Sequence, residues 1–142
     1  AIEMARLSDR IQVFAIEKKQ EAISLIEKNK KKFQIHNLCV VEAESPDRFN
    51  ELPIPTHAFL GGSGGKMKEI LEELYQMNSR MRIVINAISI ETISEMKEIL
   101  EKFPVEDEEI VQIQLSRSRT AGKYHLMQRP KTASPDSPGS CC

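Results

Sequence analysis

Long apolar runs are missing from this sequence. None approaches the ~20 residues a helix needs to cross a bilayer, and no signal peptide is visible. Both absences argue against a membrane protein and lead us to expect a cytoplasmic one. An excess of one charge is missing too. Twenty Lys and Arg stand against 21 Asp and Glu, a formal net charge of -1. The whole-molecule field therefore offers polyanions nothing, and no nucleic-acid partner is expected. Cysteine is scarce, with three in the chain. Cys39 lies in the apolar run Leu38-Cys39-Val40-Val41, where a buried thiol acts as a small hydrophobe. Cys141 and Cys142 end the chain with no second ligand cluster upstream, so neither a disulfide framework nor a metal site is expected. A terminal Cys-Cys also fits lipidation, but a frayed tail is the reading adopted. What is present is ordinary for a globular protein: 40% hydrophobic and 29% charged residues, in a length of 142 that suits one domain.

Apolar strand-like runs alternate with amphipathic helical stretches, the mark of a parallel sheet covered by helices. Ile2 to Leu7 reads as the end of a helix. Gln12 to Ile16, closing on Glu17, reads as a strand buried on both faces. Ala22, Ile23 and Ile26 then recur at helical spacing until Lys28-Asn29-Lys30-Lys31-Lys32, a solvated helix end that complements the dipole rather than an anion patch. Leu38 to Val41 and Ala58 to Leu60 are the next strands. Met67, Ile70, Leu71 and Leu74 mark one face of a helix. Arg82 to Ala87 is the clearest strand. Ile93, Met96, Leu100 and Phe103 line the helix after it, and Pro104 stops that helix. Ile110 to Leu115 and Tyr124 to Met127 then follow with no helix between, so they are predicted to pair as an antiparallel hairpin. From Pro130 onward the composition is that of a disordered tail.

The expected fold is therefore α/β: a Rossmann-like sheet of the methyltransferase type, mostly parallel, with a C-terminal antiparallel hairpin. Its first strand and glycine-rich turn are missing and would precede Ala1, as in an N-terminally truncated domain. The domain is expected over residues 1–130, with 131–142 as the tail.

Three places attract attention as chemistry. Glu17 closes a strand, where an acidic residue accepts hydrogen bonds from ribose hydroxyls about 20 residues past a glycine turn. It could equally be a carboxylate at a helix N-terminus. Glu44 and Ser45 follow the next strand, at the edge where such sheets bind ligands. There a carboxylate can accept an adenine amino group, although Ser45-Pro46-Asp47 also makes an ordinary turn. Gly61-Gly62-Ser63-Gly64-Gly65-Lys66 follows a buried strand and lets backbone approach a ligand. The helix after it offers free N–H groups. This is not a phosphate-binding P-loop, since Leu60 occupies the first glycine position and Met67 replaces the hydroxyl residue after the lysine.

Pro55 to Gly65 (PTHAFLGGSGG) and Arg82 to Thr92 (RIVINAISIET) resemble signatures of the precorrin-6Y methyltransferase (decarboxylating) family, in its C-terminal domain. Ala15-Ile16-Glu17 and Gln112 to Arg117 match it in order and spacing, so the likeness runs from residue 1 to about 130. The resemblance implies S-adenosylmethionine as methyl donor. It implies two reactions on one tetrapyrrole of cobalamin biosynthesis: methylation of a meso carbon and decarboxylation of a ring acetate. It assigns Glu17 to the cofactor ribose, Glu44 and Ser45 to adenine, and Gly61 and Gly62 to the methionine portion and substrate. Ser63, Asn86, Glu91 and Thr92 would border the substrate. A homo-oligomer, such as a tetramer, is also implied. Ala43 departs from the pattern, standing where the family often has glycine.

Such chemistry needs no dedicated nucleophile, because the donor is already activated and the conjugated macrocycle takes up the electrons that carbon dioxide leaves behind. The catalytic residues stay unassigned. Lys66, Arg117 and Arg119 are candidates for the substrate carboxylates. His57 is a candidate acid set against a structural histidine, and His36 and His125 offer less. Two other readings compete: an RNA methyltransferase of the same fold, disfavoured by the balanced charge, and a non-catalytic ligand-binding or assembly subunit.

Overall fold

A computed structural model describes residues 1–62 and 64–128. Ser63, the expected tail and the terminal cysteines lie outside the described residues. The chain divides into two compact units, the first ending at Pro104 and the second beginning at Val105.

The first unit runs α1 (Ile2–Arg6), β1 (Val13–Glu17), α2 (Gln20–Lys32), β2 (Leu38–Glu42), a 3-10 turn (Phe49–Glu51), β3 (His57–Leu60), α3 (Met67–Met77), β4 (Arg82–Ile85) and α4 (Ile90–Leu100). Parallel pairing joins β1 to β2, from Val13 opposite Leu38 to Glu17 opposite Glu42, and β3 to β4, from His57 opposite Arg82 to Leu60 opposite Ile85. Among the described residues these are two separate two-stranded sheets.

Three small clusters hold the unit together. Ala5, Val13 and Leu38 bury one, with Ile26 of α2 and Ile35 packed against it. Phe49, Ile70 and Leu74 form the second, which gathers Ile16 from β1 and Ala58 and Leu60 from β3, and so ties the two strand pairs to one core. Met67, Leu71 and Ile99 form the third, under Ile83 and Ile85. The four apolar positions expected on α3 are the four it buries, as spacing of three and four along a helix demands.

Several expectations need correction. Cys39 is exposed. β2 pairs on one side only, and its alternation turns Leu38 inward and Cys39 out. β1 is half-buried beyond Val13 rather than fully enclosed: Ala15 packs against one cluster and Ile16 against another, so both faces are touched and neither is sealed. On β3 and β4, Ala58, Leu60, Ile83 and Ile85 turn toward the core, while the register partners Phe59 and Val84 are each 53% exposed. From α4 the residues packed inward are Met96 and Ile99, joined by Phe103 from the turn after the helix, and Ile93 is exposed. The helix is thus rotated from the face that its apolar pattern suggested.

The second unit contains the expected antiparallel hairpin, with its second strand where expected and its first strand in different residues. Arg117–Ala121 (β5) pairs with Tyr124–Gln128 (β6), while 110–115 form no strand. The loop is Gly122-Lys123, with Gly122 at φ +62°. A two-residue loop opening on a positive-φ glycine forces the strand immediately before it to be the partner. Local turn chemistry therefore overrides the alternation at 110–115.

Candidate functional site

The site is built at the C-terminal ends of β1, β2 and β3. Asn37 fixes the approach to β1: its side-chain amide lies 2.9–3.0 Å from the carbonyls of Ala5, Ser8 and Ile11 and donates to that turn. The Val13 N–H donates to the Asn37 carbonyl at 2.9 Å, which starts the β1–β2 ladder. Five paired positions later the ladder delivers Glu17 beside Glu42, and the chain leaves both strands on the same side.

A cleft of about 140 Å³ opens there, lined by Ile16, Glu17, Lys18, Ala43, Glu44, Ser45, Gly62, Gly64 and Ile70. Four of the sequence candidates (Glu17, Glu44, Ser45 and Gly62) thus meet on one cleft, with Ile16 and Ile70 as its apolar lining. The position agrees with the rule that open parallel sheets bind ligands beyond the carboxyl ends of their strands.

Glu17 is half-buried, and its Oε1 accepts the Lys19 N–H at 2.8 Å, the residue that opens α2. The carboxylate therefore serves the helix start with one oxygen, whatever its second oxygen binds. Glu44 sits in a tight turn, with the Asp47 N–H donating to its carbonyl at 2.7 Å. Its carboxylate accepts from Lys18 Nζ at 2.8 Å and lies 3.6 Å from Lys66 Nζ. The bond from Lys18, then the charges of Lys18 and Lys66, hold the Glu44 carboxyl below the usual carboxylate range, and the same bond raises the Lys18 ammonium.

The glycine loop enters from β3. Gly64 and Gly65 take φ +59° and +87°, a conformation L side chains rarely adopt. A Cβ added at Gly62 would meet no atom within 4 Å. Among the described residues no atom stands where a side chain at Gly62 would begin, so space is open beside its backbone. Gly61 is not part of the cleft wall; it packs near the Phe59 ring, 3.6 Å from where a Cβ would stand.

The other candidates lie elsewhere. Asn86 is exposed at the end of β4, its N–H donating to the Leu60 carbonyl at 2.9 Å beside the start of the glycine loop. Glu91 is exposed in the first turn of α4. Thr92 is occupied by the helix cap: its N–H donates to Ser89 Oγ at 3.2 Å, and the two hydroxyls are 2.9 Å apart. His57 is exposed at the start of β3, opposite the ligand edge, with Nδ1 3.0 Å from Thr56 Oγ1. Arg117 and Arg119 belong to β5 in the second unit, both exposed. Ser63 lies outside the described residues. Lys18 is the site residue that sequence reasoning passed over. Its signal was its place directly after the strand-closing Glu17.

A larger groove, about 610 Å³, runs between α3 and α4 past Tyr75 and Phe103. Charged helix residues rim it and no strand end reaches it. The smaller cleft is therefore the better candidate despite its size. Among the described residues, no cluster of His, Cys, Asp and Glu could hold a metal ion, and no helix is long and apolar enough to cross a membrane.

A family model described as precorrin methyltransferase domain matches residues 1–134. The chain belongs to this family. A relative from Methanosarcina acetivorans, named a probable cobalt-precorrin-6B C(15)-methyltransferase (decarboxylating), is 34% identical over 121 residues, covering 83% of this chain and 64% of its own length. One from Sulfurisphaera tokodaii with the same name is 27% identical over 124 residues, covering 87% and 65%. The chain thus spans just under two thirds of these curated relatives.

Among solved structures, the precorrin-6y C5,15-methyltransferase of Geobacter metallireducens superposes with a TM-score of 0.74 at 31% identity, over 89% of this chain and 65% of that one. The precorrin 8W decarboxylase of Methanobacterium thermoautotrophicum gives 0.77 at 29% identity, over 89% and 69%. The α/β methyltransferase fold expected from the residues is the fold of this precorrin methyltransferase family.

Proposed function

We propose that this chain carries out S-adenosylmethionine-dependent methylation of a precorrin meso carbon, coupled to decarboxylation of a ring acetate in cobalamin biosynthesis. The observation that carries this reading is the meeting of Glu17, Glu44, Ser45 and Gly62 on one cleft at the strand ends, in a chain of the precorrin methyltransferase family. The relatives' printed names support the paired chemistry.

The residues present fit a nucleoside. Glu17 has an oxygen not used by Lys19, suited to ribose hydroxyls. Glu44 is an ionised acceptor, suited to an amino group on a base. Ile16 and Ile70 supply apolar contact, and the bare backbone at Gly62 permits close approach. The cleft is below the roughly 300 Å³ at which ligand pockets usually begin, so it receives part of the cofactor while the rest extends over the strand ends. When bound, S-adenosylmethionine supplies a methyl group on a sulfonium, already activated for transfer. The protein's share is alignment of donor and acceptor carbon, which can lower a barrier by roughly 7–11 kcal/mol. In this reading Arg117 and Arg119 engage substrate carboxylates while Lys66, 3.6 Å from Glu44 Oε1, serves the site's own carboxylate. Ser63, Asn86, Glu91 and Thr92 border the macrocycle, the domain spans 1–130, and the working enzyme is a cytoplasmic homo-oligomer.

Calorimetric titration with S-adenosylhomocysteine tests the cofactor assignment, and binding is expected. Incubation with the precorrin and S-adenosylmethionine, followed by mass spectrometry, is expected to reveal one methyl gained and one carbon dioxide lost. A folded chain that neither binds the first nor converts the second overturns the proposal.

A further inference from the structure

Both ammonium groups that approach Glu44 do so at the same oxygen. Lys18 Nζ donates to Oε1 at 2.8 Å, and Lys66 Nζ lies 3.6 Å from that atom. No side-chain bond to Oε2 occurs among the described residues. The three groups come from three strand ends: Lys18 follows β1, Glu44 follows β2, and Lys66 leaves the glycine loop that follows β3. Lysine only donates and an ionised carboxylate only accepts. The pair of lysines therefore favours the charged form and fixes which oxygen is engaged, leaving Oε2 without a side-chain partner among the described residues, in a residue that lines the cleft.

We propose that Lys18 and Lys66 are positioning residues that hold Glu44 by Oε1 and present Oε2 to the ligand, so that the site selects a base bearing an exocyclic amino donor over one with a carbonyl oxygen there. This rests on the reading of the cleft as a nucleoside site. An amino group completes the bond to Oε2, whereas a carbonyl sets acceptor against acceptor. Glu44 is 39% exposed along its side chain, so water softens the penalty and the selectivity is about tenfold rather than the far larger ratios of sealed sites. The charged groups acting on Glu44 are Lys18 and Lys66, with Glu17 acting in turn on Lys18.

The test is titration of the whole chain with S-adenosylhomocysteine and its deaminated counterpart, S-inosylhomocysteine, in wild type, Lys18→Met, Lys66→Met and Lys66→Arg. Carbon-13 NMR follows the Glu44 carboxyl through the acid range in parallel. Wild type should favour the amino base about tenfold, each Met variant should shrink that ratio about three- to tenfold, and Lys66→Arg should keep it within about twofold. The Glu44 carboxyl should titrate at higher pH in both Met variants. A simple structural role would weaken both ligands alike and leave the ratio unmoved, which overturns the proposal, as does equal wild-type affinity for the two bases. Should wild type bind neither compound, the nucleoside reading fails. The carboxyl titration then still decides whether the lysines hold Glu44, and an unmoved titration refutes that hold.

Discussion

Glu17 bonds the Lys19 N–H that opens α2 with one oxygen, and its other oxygen has no side-chain or backbone partner among the described residues. Glu17→Gln keeps an acceptor for the N–H but discards the charge. S-adenosylhomocysteine affinity should fall about tenfold or more by calorimetry, as the ~1.5–3 kcal/mol of a hydrogen bond made to a charged group implies, while the melting temperature stays nearly constant. A large loss of melting temperature would mean that Glu17 is chiefly a helix-start residue. Glu44 offers a pH test with a definite sign. Its folded-state value is lowered by Lys18 and then Lys66. Its contribution is therefore complete above the ordinary Glu range, near ~4.3, and is lost as pH falls through the lowered folded value. Wild type and Glu44→Gln should differ in melting temperature at neutral pH and converge in acid; a constant gap would rule out the ion pairs as its source. Both glutamates were legible from the sequence, Glu17 as the carboxylate that closes a strand and Glu44 as one in the turn just after a strand. Lys18 was not, because a lysine's reach across 26 positions to Glu44 depends on the register of two strands, which a linear pattern does not encode.

At the level of elements, legibility followed the number of independent signals. On α3, Met67, Ile70, Leu71 and Leu74 are enclosed by a strand pair and by α4, so the periodic pattern and the environment agree. Ile70 is 2% exposed and belongs to the core that draws β1 and β3 together. Ile70→Ala should cost about 2–5 kcal/mol in denaturant unfolding, and should also weaken ligand binding because Ile70 lines the cleft. On α4 the pattern was half right: Met96, and Phe103 just beyond the helix, pack inward as expected, while Ile99 takes the buried place and Ile93 is exposed. The helix start is better defined: Ser89 Oγ accepts the Thr92 N–H, so Ser89→Ala should lose about 1 kcal/mol. A loss near zero would mean that water replaces the cap without penalty. The hairpin was legible in kind and in its second strand, Tyr124–Gln128, but not in its first. Alternation at 110–115 supplied a strand signal without a partner, and Gly122-Lys123 supplied the turn that sets the actual register.

The molecule as a whole separates its candidate functions between two units. Every residue lining the cleft falls between Ile16 and Ile70, inside the unit that ends at Pro104, whereas Arg117 and Arg119 belong to the unit that begins at Val105. A ligand that binds only the folded state stabilises by mass action, about 2.7 kcal/mol at a hundred times its dissociation constant. That stabilisation appears first in the elements it touches. Amide hydrogen exchange therefore distinguishes the two proposed binding roles in one protein. S-adenosylhomocysteine should slow exchange in segments 16–19, 43–45 and 64–70 and leave the 117–121 and 124–128 strands unchanged. Adding the precorrin should then slow exchange around Arg117 and Arg119, and Arg117→Ala should weaken precorrin binding while leaving S-adenosylhomocysteine affinity intact. Protection by S-adenosylhomocysteine confined to the hairpin would move the cofactor site away from the cleft. A hairpin indifferent to precorrin would release both arginines from the substrate role without disturbing the cofactor assignment.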